Sequence, residues 1–357
     1  MRTGETISSH AYENRVGGKG VNQAIAIVRA GGAVQFYGII GKDGIWIRDS
    51  MANCGIDVNG TIVSDVRVGP LWHCKKRSDD YQEPTGRAII QVNDETGENS
   101  IGKPYIYPPG YNNSFLILVL FPGANHAKLH ETQSEGWFPE TTHLLLQNEI
   151  HMQSTHYALK NAKNATVILN PSPLPSASEI REFPWDKVDW LVINETEAEG
   201  LYLSMMDTEG APSPSVSTRE ILIMLSAQPL FKETNVVCTL GADGVLAFIP
   251  TFHRPITSHE VPSFIYMPAA RLQGEIRDST GAGDCFTGYF VQGLMEFGPH
   301  AMIGKDIKEL DITRILKRCV YVSDRALGCS VFNAFLRRQG CRWRRQGRLT
   351  VYQQGTR

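Results

Sequence analysis

Asp278-Ser279-Thr280-Gly281-Ala282-Gly283-Asp284 leads directly into Cys285-Phe286-Thr287-Gly288-Tyr289-Phe290-Val291-Gln292-Gly293-Leu294-Met295. Asp, Ser and Thr favour a turn, and the small and apolar residues that follow read as a buried helix. A Gly-x-Gly loop opening a helix exposes backbone N–H groups at the positive end of the helix dipole, a setting suited to an anion. The sequence therefore predicts a phosphate held by the amides of Ala282, Gly283 and Asp284. A carboxylate inside such a cradle repels its ligand unless it performs a task there. Taking the proton of a hydroxyl beside a travelling phosphoryl group is one such task. The other reading of Asp284 is an acid in the first turn of a helix, where the dipole favours it.

Outward from this loop, short β-branched apolar runs alternate with stretches of helical period. Ala33–Ile40, His143–Gln147, Thr166–Leu169, Val188–Ile193 and Asn235–Leu240 read as buried strands. Val21–Arg29, Met152–Ala162, Glu195–Met205 and Thr218–Ala227 read as helices. The alternation predicts an α/β fold, a mainly parallel sheet covered by helices. Ligands of such sheets sit beyond the carboxyl ends of the strands. The polar strings Gln147-Asn148-Glu149, Asn194–Glu199 and Thr239–Gly244 all follow predicted strands. Thr6–Val16, Gly60–Val68 and Thr85–Ile101 alternate over shorter spans, which predicts antiparallel strands outside the main sheet, suited to a small lid.

Composition excludes several classes. A chain of 357 residues, 42% of them hydrophobic, has the material for a large α/β core and is too apolar for disorder. A formal net charge of -2 gives no global field for nucleic acid or an acidic membrane, so neither is expected as a partner. From Arg337 to Arg357 the chain carries seven arginines and no acid. Without a stacking array beside it, that stretch reads as a solvated or aberrant tail rather than a nucleic-acid arm. The seven cysteines are irregularly spaced, with no Cys-x-x-Cys pair, which argues against zinc or a disulfide framework and for a reducing compartment. Residues 1–15 lack an apolar signal-peptide core, and the aliphatic and aromatic run Phe115–Phe121 is far shorter than the roughly 20 residues of a spanning helix. A soluble, cytosolic protein is expected.

Asp278–Asp284 resembles the second signature of the ribokinase (carbohydrate kinase) family, and further motifs resemble that family in the same order. Gly17-Gly18-Lys19-Gly20-Val21-Asn22-Gln23-Ala24 resembles its first signature. Glycines there let a polyol approach the backbone, and Asn22 offers both donor and acceptor, although a turn capping a helix explains the same residues. Asn194-Glu195-Thr196-Glu197 resembles the family's Asn-x-x-Glu, while also reading as a helix N-cap followed by dipole-favoured acids. Asn170-Pro171-Ser172-Pro173 resembles the Asn-Pro-Ala-Pro turn of ribokinases.

The resemblance implies a ribokinase-like three-layer α/β/α fold with a small antiparallel β lid, over residues 1–330. It implies ATP-dependent phosphorylation of D-ribose to ribose 5-phosphate, with Asp284 as base and Gly281, Ala282 and Gly283 as the anion hole. Gly18, Lys19, Gly20, Val21, Asn22 and Glu149 would meet the sugar. Asn194 and the turn Thr239, Leu240, Gly241, Ala242, Asp243 and Gly244, with Gly283 and Asp284, would meet ATP. Glu197 would organise Mg2+ through water, and Asp278 and Thr280 would bind an activating K+. Dimerisation through the lid, and a cytoplasmic and also nuclear location, go with the same resemblance. The rival readings are a kinase of fructose, 2-keto-3-deoxygluconate or adenosine, and an impaired relative acting as a binding protein.

The chain also departs from the family. Gly4-Glu5-Thr6 matches a Pro-Gly-Glu-Thr that ordinarily follows an initial strand bearing further sugar ligands, and that strand is absent. Segments around 102–120 and 69–82 interrupt the pattern; translated noncoding sequence and a lid elaboration are the two explanations. Beyond Val322 the expected Gly-Ala turn and Ser-x-Pro give way to Arg325-Ala326-Leu327-Gly328-Cys329-Ser330 and the Arg-rich tail 331–357, so potassium activation and adenine affinity are expected to suffer.

Overall fold

The computed structural model describes residues 15–64, 84–88, 91–92, 99–100, 120–121, 123–126, 141–206, 216–255, 262–270 and 281–327. The chain enters through α1 (Lys19–Arg29), whose residues Val21, Ala24, Ile25 and Ile27 are buried. Next comes a βαβ unit: β1 (Gly38–Ile40), α2 (Ile45–Asn53) and β2 (Thr61–Val63). The two strands pair in parallel, Gly38 with Thr61 and Ile40 with Val63. This corrects two expectations. Thr61–Val63 is not an antiparallel lid strand, because the helical crossover returns the chain in the direction it left, whereas antiparallel pairing follows a hairpin. Of Ala33–Ile40, only 38–40 form a strand; the stretch before it makes a single bridge, Gln35 to Asp57. Short antiparallel pairs follow: β3 (Arg87–Ala88) with β6 (Leu120–Phe121), and β4 (Gln91–Val92) with β5 (Asn99–Ser100).

The main sheet collects β7 (His143–Gln147), β8 (Thr166–Asn170), β9 (Trp190–Asn194), β10 (Asn235–Thr239), β11 (Val245–Phe248) and β12 (Ile265–Met267). Among the described residues its order is β12-β11-β10-β9-β8-β7. The four strands β7 to β10 run parallel, and β11 and β12 are added antiparallel at the other edge. Between them lie α3 (Met152–Asn161), α4 (Ala177–Glu182), α5 (Glu195–Met206), α6 (Thr218–Ser226) and the one-turn α7 (Pro250–His253); α8 (Ala282–Met295) and α9 (Glu309–Leu327) close the chain.

Strand periodicity sorts the side chains into two cores. Ile168, Trp190, Val192, Val237 and Val245 point to the layer of α1, α8 and α9. Val167, Leu169, Leu191, Ile193 and Cys238 point to the layer of α3 to α6. In the first layer the Trp190 and Phe290 rings meet edge-on with centroids 5.1 Å apart, which seats α8 against the sheet. In the second, Phe183, Trp185 and Phe231 form a tilted series at 4.7 and 4.9 Å. Gly288 sets how close α8 comes to α1: a Cβ there would lie 2.4 Å from that of Ala26 and 2.7 Å from the Gln23 carbonyl oxygen. No helix among the described residues is long and apolar enough to cross a membrane. The amino-terminal part of the expected lid (6–14), the segment 102–119 and the tail 331–357 lie outside the described residues.

Candidate active site

The amino ends of α1 and α8 converge on the carboxyl ends of β7 and β8. Helix α8 starts at Ala282, after Gly281 in the left-handed region at φ 80°, and its first ladder bond runs from Cys285 N–H to the Gly281 carbonyl at 2.8 Å. The amides of Ala282, Gly283 and Asp284 thus precede the ladder, and the space beside Gly283 holds no heavy atom within 4 Å of a built Cβ. These are the amides that the sequence predicts to hold a phosphate.

Asp284 is only 7% exposed, yet both its oxygens are engaged. Asn22 Nδ2 donates to Oδ2 at 2.8 Å and Gln23 Nε2 donates to Oδ1 at 3.0 Å. An ionised carboxylate can only accept, so two amide donors and the helix dipole offset the loss of water. Asn22, expected on the sugar, thus contacts the carboxylate that the resemblance implies to be the base. On the other side of α1, the Lys19 backbone N–H donates to Glu149 Oε2 at 2.7 Å. Burial pushes the Glu149 carboxyl above the ordinary glutamate value; the Lys19 N–H and charge oppose the shift, and Asp284 adds to it. Gly18, at φ 93°, has the backbone conformation that side chains resist, and a Cβ there would stand 3.5 Å from Glu149 Oε2. Val21 is the exception in this segment: its side chain is buried in the core, which leaves only its backbone for a ligand.

A second group lies at the ends of β9 and β10. Asn194 Oδ1 accepts from Glu197 N–H at 2.8 Å, and Glu197 Oε2 accepts from Asn194 N–H at 3.0 Å. This reciprocal pair is a capping box, so the helix N-cap reading of these residues holds in the geometry. After β10 the chain turns through Leu240–Gly244, closed by Leu240 N–H to the Gly244 carbonyl at 2.8 Å. Gly241, Ala242 and Asp243 are exposed there, and Thr239 Oγ1 donates to the Ile193 carbonyl at 3.5 Å. Cys238, just beneath, is pushed up to about 12 by burial, with Glu195 and Glu197 adding to the shift, so it is no nucleophile.

For a metal, Glu197 is 9% exposed and has one oxygen committed to the backbone. No cluster of three or more potential ligands occurs among the described residues. This donor set suits a hard ion that arrives with its own waters and a nucleotide's phosphates. Asp278 and Thr280, the expected potassium ligands, lie outside the described residues.

Three residues had no assigned role in the sequence: Gln23, Gln147 and Asn170. Gln147 Nε2 donates to Gln23 Oε1 at 2.6 Å, Gln23 Nε2 to Asn170 Oδ1 at 3.0 Å, and Asn170 Nδ2 to the Val192 carbonyl at 2.9 Å. The signal available was an amide at Gln23 within the apolar face of a predicted helix, among Val21, Ala24 and Ile27.

A helix start whose first amides precede the ladder, with a buried carboxylate in its first turn, thus lies at the strand ends of a three-layer α/β/α sheet. The sequence profile of the pfkB family of carbohydrate kinases matches residues 2–68 and 74–311, and the chain belongs to that family. It is 30% identical over 305 residues to the ribokinase of Haemophilus influenzae, covering 83% of this chain and 79% of that one. The ribokinase of Cryptococcus neoformans in complex with ADP superposes with a TM-score of 0.68 at 33% identity, over 94% of this chain and 92% of that one. The Arabidopsis thaliana ribokinase complexed with ribose and ATP superposes at 0.60 over 94% and 92%, and at 21% identity shows the fold alone.

Proposed function

We propose that this sugar kinase transfers the terminal phosphoryl group of ATP to the 5-hydroxyl of D-ribose. The observation that carries the reading is the Asp284 carboxylate, buried in the first turn of α8 beside the cradle amides and held by Asn22 from the sugar-side motif. In this scheme the sugar lies over Gly18, Lys19, Gly20 and Asn22 and gives a hydroxyl to Glu149. Asp284 takes the proton of the attacking hydroxyl. Gly281, Ala282 and Gly283 receive the charge that spreads over the transferring group, where positioning and electrostatics supply most of the rate. Asn194 and the turn Thr239–Gly244 carry the nucleotide. Glu197 would hold Mg2+ through water, and the ion would supply charge neutralisation for the phosphates. Asp278 and Thr280 would supply oxygen ligands for K+ in the same reading, with activation weakened by the altered sequence beyond Val322.

Kinetic constants of the full chain with ATP and Mg2+, with and without K+, against ribose, fructose, 2-keto-3-deoxygluconate and adenosine test it. Ribose is expected to give the highest kcat/KM. Turnover of another acceptor with none of ribose overturns the sugar assignment, and turnover of no acceptor overturns the kinase reading.

A further inference from the structure

We propose that Gln23 is a positioning residue for Asp284: a side chain that never reaches substrate but sets the carboxylate's orientation. The inference rests on the reading of Asp284 as the base. Gln23 is 0% exposed, whereas its neighbour Asn22 is part-buried and faces the site. Its effect on the reaction therefore runs through the groups it touches.

The orientation of its amide follows from the network. A backbone carbonyl only accepts, so Asn170 turns Nδ2 to Val192 at 2.9 Å and presents Oδ1 to Gln23. Gln23 then faces two acceptors, Asn170 Oδ1 and Asp284 Oδ1, both at 3.0 Å. Only Nε2 with its two protons satisfies both, which leaves Oε1 for the Gln147 donor at 2.6 Å. Every hydrogen-bonding position of Gln23 except one oxygen lone pair is used. The amide cannot flip without setting its oxygen against two acceptors and its nitrogen against a donor, at the cost of several buried bonds.

The consequence for Asp284 is a division of labour. Oδ1 is tied to a buried amide anchored on the strand ends of β7 and β8, and Oδ2 is left on the side of Asn22, where a hydroxyl would arrive. Gly288 makes this possible by admitting the Gln23 turn of α1 against α8. General bases need the correct oxygen within hydrogen-bond reach of the proton, so freedom of the carboxylate appears in kcat more than in substrate affinity.

The test is steady-state kinetics of the full chain, with its fastest sugar and ATP, on Gln23→Met, Gln23→Glu and Gln147→Met, with folding followed by thermal melting. Gln23→Met keeps shape and loses the donors; kcat is expected to fall roughly 10- to 100-fold with both KM values within about 3-fold. Gln23→Glu turns a carboxylate toward Oδ1, and the acidic limb of its kcat–pH profile moves to higher pH. Gln147→Met leaves the contacts of Asp284 intact and loosens Gln23 alone; a smaller loss, confined to kcat, is expected. Gln23→Met with wild-type kcat, or losses confined to KM, overturns the inference. Should Gln23→Met fail to fold, Gln147→Met decides: a kcat-only loss supports the inference and wild-type kcat overturns it. An active wild type whose variants keep its kcat sinks this inference alone, whereas a wild type inactive on every sugar sinks the kinase reading and takes the inference with it.

Discussion

The two halves of the site are built by different means. On the sugar side, the hydrogen bonds that shape it join residues far apart in the chain: Asn22 and Asp284 are separated by 262 residues, Gln23 and Asn170 by 147, Lys19 and Glu149 by 130. On the proposed nucleotide side they are mostly local, with the weak Thr239 bond to the Ile193 carbonyl reaching across 46 residues. Asn194 and Glu197 are three residues apart, and the Leu240–Gly244 turn closes on itself. Local bonds form with their own helix or turn, whereas long-range ones exist only once α1, α8 and the sheet have packed. The half proposed for the sugar is therefore the part whose geometry depends on the whole core, and the half proposed for the nucleotide is the part that short segments largely specify.

The sharpest way to break this division is Asp284→Asn. A general base of this kind contributes roughly 10²- to 10⁴-fold, so kcat should fall by that factor. ADP binding, followed by calorimetry, should stay near wild type, because ADP lacks the terminal phosphoryl group that Asp284 would meet and the β9 and β10 ends are untouched. Loss of ADP binding would show the halves to be one unit.

Next in size is Glu149→Gln. The neutral amide still accepts the Lys19 N–H but no longer offers a charged partner to a hydroxyl, so sugar KM should rise about tenfold or more with ATP KM unchanged. The stability effect has the opposite sign. Burial raises this carboxyl above 4.5, so between the ordinary and the raised value the folded chain holds a proton that the unfolded chain has released. Stability contributed by this group falls as pH rises from the ordinary glutamate value through the raised one, and at neutral pH the buried charge is a cost. Glu149→Gln should therefore melt higher than wild type at pH 7, and the gain should vanish on acidification. A lower melting temperature at pH 7 would place the cost of this site elsewhere.

The smallest effect is expected for Asn194→Ala, which removes the acceptor for Glu197 N–H at the start of α5. Loss of such a cap costs about 0.5–2 kcal/mol of stability. ATP KM should rise a few-fold while sugar KM holds, and a change in sugar KM would contradict the local character of this half.

Much of the nucleotide half was legible in the sequence for the same reason. The N-cap reading of Asn194, the turn after Thr239 and the helix start after Gly281 each follow from residues within a few positions of one another. The parallel strands β8 to β10 were legible too, because β-branched runs buried on both faces announce themselves. Ala33–Ile40 misled because its apolar content fits a buried strand, while only its last three residues pair. Gly60–Val68 misled because alternation alone does not tell which way a partner runs; the α2 crossover does.

What the sequence by itself determined is the α/β class, the family signatures, the carboxylate at the start of α8 and the local frame around Asn194 and Thr239–Gly244. What only the tertiary structure decided is where those carboxylates point. In the sequence nothing says which partners the amides of Asn22, Gln23, Gln147 and Asn170 take. They become the mount of Asp284 because Gly288 lets α1 and α8 approach, the Trp190–Phe290 contact seats α8 on the sheet, and buried donors and acceptors must then find one another across the gap. A buried amide's partners are a property of packing, and packing is not written within any one segment.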